Sequence, residues 1–185
     1  MCVAALTVFP PAAGASRPHF DGPTIDNPRV PPNFALYDQR HDRIELYAQH
    51  GRVVLLTFLY THCPDVCPLT ADHLNGALQL LGSDPSQVRI LAVSVDPRGD
   101  TPAAVASFVH RHHLLSEFHY LTAPRRTLAP IWHAYGVDST VVDGLHVNHT
   151  LYTLLLDRAG RGRVLFGSTS TSRTIAHDVR LLLGS

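Results

Sequence analysis

Two mostly apolar runs organise the chain. Residues 52–59 (Arg-Val-Val-Leu-Leu-Thr-Phe-Leu) and 88–95 (Val-Arg-Ile-Leu-Ala-Val-Ser-Val) are rich in β-formers, the pattern of central strands covered on both faces. Between them Leu69, His73, Leu74, Ala77, Leu78 and Leu81 recur at helical spacing, and Gly82 stands in the stop position. After the second run, Thr101-Pro102 reads as an N-cap followed by proline at the first helical position. Val105, Phe108 and Val109 give that helix its apolar face. Leu128, Ile131, Trp132 and Tyr135 mark a third helix stopped at Gly136, with Pro130 predicting a late start or a kink. Residues 150–156 and 163–166 read as strands joined through Asp157–Gly162, and Ile175, Val179 and Leu182 fit a closing helix.

Upstream, residues 33–37 and 43–47 alternate around a polar Gln39–Asp42 turn and read as a hairpin. Seven prolines between residues 10 and 32 oppose regular structure there. The chain therefore divides into a leader, 1–30, and one domain, 31–185. Residues 3–9 are apolar but too few to span a bilayer, and no basic stretch precedes them. With Ala-Gly-Ala-Ser at 13–16 resembling a cleavage region, the leader reads either as a truncated signal peptide or as a disordered segment. The domain's order is strand–helix–strand–helix–helix–strand–strand–helix. That predicts an α/β, thioredoxin-like fold, a central mixed sheet flanked by helices, with an extra N-terminal β-hairpin.

Composition narrows the chemistry. Apolar residues make up 45% and charged residues 16% of the 185, which is globular composition. The formal charge is zero, so nothing in the bulk calls for nucleic acid or an anionic membrane. All 15 basic residues are arginine, which excludes a Schiff-base lysine and a P-loop lysine. Thirteen histidines keep metal binding open. Of three cysteines, Cys2 is isolated and reads as incidental, while Cys63 and Cys67 are four residues apart in Cys-Pro-Asp-Val-Cys-Pro. So short a loop makes a poor structural staple, and a reactive pair is the better reading.

The pair follows a buried strand and opens a helix. Residues at i and i+4 face the same way, and the helix N-terminus favours a thiolate. His62 would add to this if protonated. Two thiolates at this separation can close a disulfide or clamp one soft metal ion. A third donor comes from Leu-His-Val-Asn-His at 145–149, where His149 lies beside the next strand and His146 competes with it. Two thiolates and an imidazole suit Cu(I) and accept Cu(II); zinc takes the same ligands in an open site.

At these residues the sequence resembles the Sco/SenC copper proteins that serve cytochrome c oxidase assembly. The resemblance rests on Thr61-His62-Cys63-Pro64-Asp65-Val66-Cys67-Pro68, then Ser94-Val95-Asp96-Pro97 with Asp100-Thr101, then Val147-Asn148-His149-Thr150, and covers about residues 31–185. It implies that Cys63, Cys67 and His149 are copper ligands, with Cys63 and Cys67 also the redox pair. It further implies delivery of copper to the binuclear centre of a cytochrome c oxidase subunit. The setting is extracytoplasmic, peripheral to a membrane or anchored in it, with the oxidase subunit or another thiol protein as partner and a monomeric chain. Asn148 departs from the aspartate many members carry beside the ligand histidine.

The competing function is a thiol–disulfide oxidoreductase that reduces target cysteines without copper. A peroxiredoxin-type peroxidase is disfavoured. That family places proline seven and threonine three residues before its cysteine; the positions here hold Tyr60 and Pro64 before Cys67, and Leu56 and Tyr60 before Cys63. Asp96–Thr101 reads as strand end, turn and helix cap. His110, His112 and His113 read as a solvated helix face, and Asp65 and Asp72 as charge near a helix N-terminus.

Overall fold

The computed structural model describes residues 19–82, 85–137, 139–142, 146–149 and 151–184; the side chains of 85, 139–142 and 146–149 lie outside the description. Nine strands and four α-helices follow in order among these residues. They are β1 (Ala35–Tyr37), β2 (Arg43–Glu45), β3 (Val53–Leu59), α1 (Val66–Leu81), β4 (Val88–Ser94), α2 (Pro102–Arg111), β5 (Phe118–Leu121), α3 (Arg125–Ala134), β6 (Ser139–Val142), β7 (His146–His149), β8 (Thr153–Leu156), β9 (Gly162–Phe166) and α4 (Ser172–Leu183).

Five strands form the central sheet in the order β5-β4-β3-β8-β9. β3 pairs in parallel with β4 and antiparallel with β8, so the sheet is mixed and β3 is its axis. Every residue of β3 is buried, as its mostly apolar run requires. The parallel pairs β3–β4 and β4–β5 are joined through α1 and α2, the helical crossovers that parallel strands need. β8 and β9 form a hairpin over a turn in which Asp157 Oδ1 accepts the N–H groups of Ala159 and Arg161. The arrangement is the thioredoxin-like one, with β1 and β2 as the separate N-terminal hairpin.

Local chemistry explains the element ends. Pro68 is the third residue of α1, where its missing N–H would have had no partner anyway. The helix therefore starts at Val66, three residues before the apolar periodicity begins. Thr101 caps α2 by accepting from Ala104 N, with Pro102 at the first position. α3 starts at Arg125, so Pro130 is interior and Arg126 loses its usual helical donor. α1 and α4 approach closely at Gly76, where a Cβ would meet Ser172 Oγ at 2.6 Å.

Three regions differ from the sequence expectation. β5 was absent from the expected order, yet it pairs Phe118–Leu121 with Ile90–Val93. Its four residues all buried against β4 are too few for a periodic signal. The stretch before the expected strand at 150 contains its own antiparallel hairpin, β6–β7, which pairs Ser139 with His149; the following strand begins at Thr153. Ahead of residue 31 the chain also packs: Ile25 N donates to Arg163 O and Leu165 N to Pro23 O along β9. The buried carboxylate of Asp178 accepts from the N–H groups of Asp21 and Gly22 at 2.8 and 2.9 Å.

Candidate metal centre

The site grows from the C-terminal end of β3. After Leu59, whose carbonyl still accepts from Val95 N at 2.9 Å, the chain leaves the sheet at Tyr60 and turns. Cys63 N donates weakly to Tyr60 O at 3.4 Å, and α1 begins three residues later. Asp65, the residue before α1, makes no side-chain capping bond. The acceptor near the helix start is instead sulfur: Cys67 N donates to Cys63 Sγ at 3.4 Å. Both cysteines are free thiols, Cys63 half-buried and Cys67 fully buried. Cys2 lies outside the described residues.

This geometry splits the two thiols. The hydrogen bond from the Cys67 thiol, then the backbone N–H groups of Asp65 and Cys67 and the Tyr60 side chain, outweigh burial and bring Cys63 down to about 5. The same thiol–thiol bond, with burial and the negative charges of Cys63 and Asp100, pushes Cys67 far up. At neutral pH the pair is one thiolate, at Cys63, receiving a proton's hydrogen bond from Cys67. His62 is not among the leading causes of that shift. It is exposed, and its Nδ1 lies 3.0 Å from Thr61 Oγ1.

Behind the turn is a buried polar group that sequence reading assigned only to a loop. Asp100 accepts from Thr61 N at 2.7 Å, Ser94 Oγ at 2.5 Å and Tyr120 Oη at 3.0 Å. Burial raises its pKa, and those hydrogen bonds pull against the rise. Burial, with the neighbouring Asp100, also raises Tyr120 well above an ordinary phenol. Trp132 Nε1 donates to Ser94 O at 2.9 Å and ties α3 to the same corner. The signal available in sequence was an aspartate directly before a Thr-Pro helix start, at the exit of a buried strand.

The third expected donor, His149, ends β7 opposite Ser139 in the hairpin that precedes β8. Its side chain, like those of His146 and Asn148, lies outside the described residues. Of the three histidines read as a solvated helix face, only His110 lies on α2, which ends at Arg111. His110 and His113 are exposed, while His112 Nδ1 lies 2.7 Å from Asp72 Oδ1 and links α2 to α1. Asp72, the seventh residue of α1 and so past its first turn, is a partner for His112 instead of charge at the helix start. Away from the cysteines, Asp21, His177 and Asp178 bring ligand atoms within 4.8 Å of one another. Asp178 already spends both oxygens on the backbone of Asp21 and Gly22.

Fold and site together define a class: a thioredoxin-like protein with a Cys-x-x-x-Cys thiol pair at the start of the helix after its central strand. Within that class the chain belongs to the SCO1/SenC family, which it matches over residues 22–184. It is 23% identical over 142 residues to the SCO2-like protein of Rickettsia felis, covering 74% of this chain and 68% of that one. Among solved structures it is similar to Bradyrhizobium japonicum ScoI with copper bound, at 28% identity and a TM-score of 0.73. That match covers 83% of this chain and 99% of the other. The fold is also that of BsSco, a member of the Sco family of cytochrome c oxidase assembly proteins in which a disulfide switch is identified. The TM-score there is 0.68 at 24% identity, with 88% of this chain and 95% of BsSco covered.

Proposed function

We propose that this protein carries copper on Cys63, Cys67 and His149 and delivers it to the binuclear copper centre of a cytochrome c oxidase subunit. The observation that carries the reading is the geometry of two free cysteines, half-exposed Cys63 accepting at Sγ from the backbone N–H of buried Cys67 at 3.4 Å. Two sulfur donors already in mutual contact, one of them deprotonated at neutral pH, suit a soft ion. Capture requires the Cys67 proton to leave, so loading releases a proton to solvent. The copper-bound ScoI relative supports the choice of metal. An extracytoplasmic setting follows from the family, and among the described residues no helix is long and apolar enough to cross a membrane.

Cu(I) titration of the reduced protein tests this. Uptake of about one equivalent is expected, lost in Cys63→Ala, Cys67→Ala and His149→Ala and kept in His146→Ala. Retention in the His149 variant would remove that residue from the ligand set.

The different accessibility of the two thiols also favours a second activity, disulfide reduction. Cys63 thiolate attacks one sulfur of a target disulfide, forming a mixed disulfide and expelling the other target sulfur as a thiolate. Cys67 then loses its proton and attacks Cys63 Sγ, releasing the second target thiolate. Two electrons pass to the target, and Cys63 and Cys67 end as a disulfide. This activity does not need His149. Reductase turnover that survives in His149→Ala while copper uptake is lost separates the two roles.

A further inference from the structure

The loop after β4 supports the thiol turn from behind. Asp100 is 4% exposed, and its carboxylate joins three elements: Oδ1 to Thr61 N beyond β3, Oδ2 to Ser94 at the end of β4 and to Tyr120 in β5. Its own N–H donates to Asp96 O at 2.8 Å, which closes the loop on itself. Thr61 is two residues before Cys63. The residue before Thr61, Tyr60, stabilises Cys63 through its side chain and Cys67 through its backbone. The same loop touches the turn a second time. A Cβ on Gly99 would lie 2.2 Å from Asp96 Oδ2 and 3.1 Å from His62 Nδ1.

We propose that Asp100 is the positioning residue of the thiol site: anchored to β4 and β5, it holds the Thr61 backbone so that Cys63 Sγ faces Cys67 and the start of α1. It acts on Cys63 by hydrogen-bond geometry and not by charge. An asparagine in its place keeps an oxygen for Thr61 N–H and offers an amide to the two hydroxyls, each of which can turn to accept. An alanine leaves Thr61 N–H without its acceptor and the turn free to shift. The inference rests on Cys63 and Cys67 being working thiols, which both readings above share, and it does not depend on copper.

The test compares Asp100→Asn and Asp100→Ala in the reduced full-length protein. Three measurements are made on each: the rate at which Cys63 reacts with a small chromogenic disulfide, Cu(I) affinity by chelator competition, and melting followed by circular dichroism. Asp100→Asn is expected to stay close to wild type. Asp100→Ala, still folded at the assay temperature, is expected to lose roughly tenfold in Cys63 rate, since small misplacements of reacting groups cost at least that. A lowered melting temperature with an unchanged Cys63 rate would make Asp100 a stability residue only and overturn the proposal. Equal losses in the Asn and Ala variants would overturn it in favour of charge. If Asp100→Ala does not fold, the Ser94→Ala/Tyr120→Phe double variant, which unties Asp100 Oδ2, must lose Cys63 rate in the same direction; no loss refutes the proposal. Failure of the wild-type protein to take up copper, with the contrast between the Asn and Ala variants in thiol rate still present, would remove the copper reading and leave this one in place.

Discussion

The thiol pair's asymmetry gives a pH profile that can be worked out in advance. Cys63 is brought to about 5 from an ordinary 9.0, and the first cause is the hydrogen bond from Cys67. A depressed pKa keeps the thiolate at every pH above it, and the thiolate is lost as pH falls through that value. Near pH 5.5 about three quarters of Cys63 is thiolate, against about 0.03% of an ordinary thiol, a ratio of roughly 2,000. A weakly basic thiolate is also a poorer nucleophile, by about 40- to 100-fold over this shift. Cys63 should therefore attack a small disulfide about 25 to 60 times faster than an ordinary thiol near pH 5.5, and only about one to three times faster near pH 7. The assay is chromophore release from an aromatic disulfide between about pH 4 and pH 9, with Cys63 confirmed as the site by mass spectrometry. In Cys67→Ala the midpoint should move up, because the leading stabiliser is gone. A wild-type midpoint near that of an ordinary thiol, or an unmoved midpoint in Cys67→Ala, would refute the argument.

Other outcomes follow from the packing. Gly76→Ala should destabilise by about 1–3 kcal/mol in urea unfolding, because the new Cβ meets Ser172 Oγ at 2.6 Å. Ser172→Gly in the same chain should recover part of the loss. Thr101→Ala removes the α2 cap at 3.2 Å and should cost about 1 kcal/mol, read as a lower melting temperature. Burial acts to raise the pKa of Asp157, but its bonds from the Arg161 N–H and the Arg161 and Arg163 guanidinium groups win and lower it. Its stabilisation is present above the unfolded carboxylate value and is lost as pH falls below about 4. Asp157→Asn should thus lower stability near neutrality and flatten the acid limb of the stability profile.

What could be read in advance was whatever announces itself by period or by capping. β3 and β4 are long, mostly apolar runs; the Thr101-Pro102 cap and the Gly82 and Gly136 stops fall where local chemistry puts them. β5 escaped because Phe-His-Tyr-Leu is short and its His119 is buried by pairing with Asp38 at 2.9 Å, a partner 81 residues away. Asp100 escaped for the same reason. Its three partners come from positions 61, 94 and 120, and no local pattern joins them. The cysteine pair was legible as a motif. The division of labour between its members was not, because it depends on Cys67 being sealed in the core while Cys63 stays half-open.

The segment ahead of β2 also decides how the molecule meets its own copies. β9 is one outer strand of the sheet, and its open side is taken by Pro23 and Ile25. β5 is the other. There Gln39 donates its amide to Phe118 O and accepts from Tyr120 N, as a neighbouring strand would, and Thr122 N bonds Tyr37 O just beyond. Unpaired strand edges template the addition of further strands and so lead to aggregation. One stretch of chain, from Pro23 to Gln39, blocks both. A protein trimmed to residue 31 would keep both thiols and the whole sheet, yet present β9 as a bare edge, and self-association would rise before copper or thiol chemistry was touched.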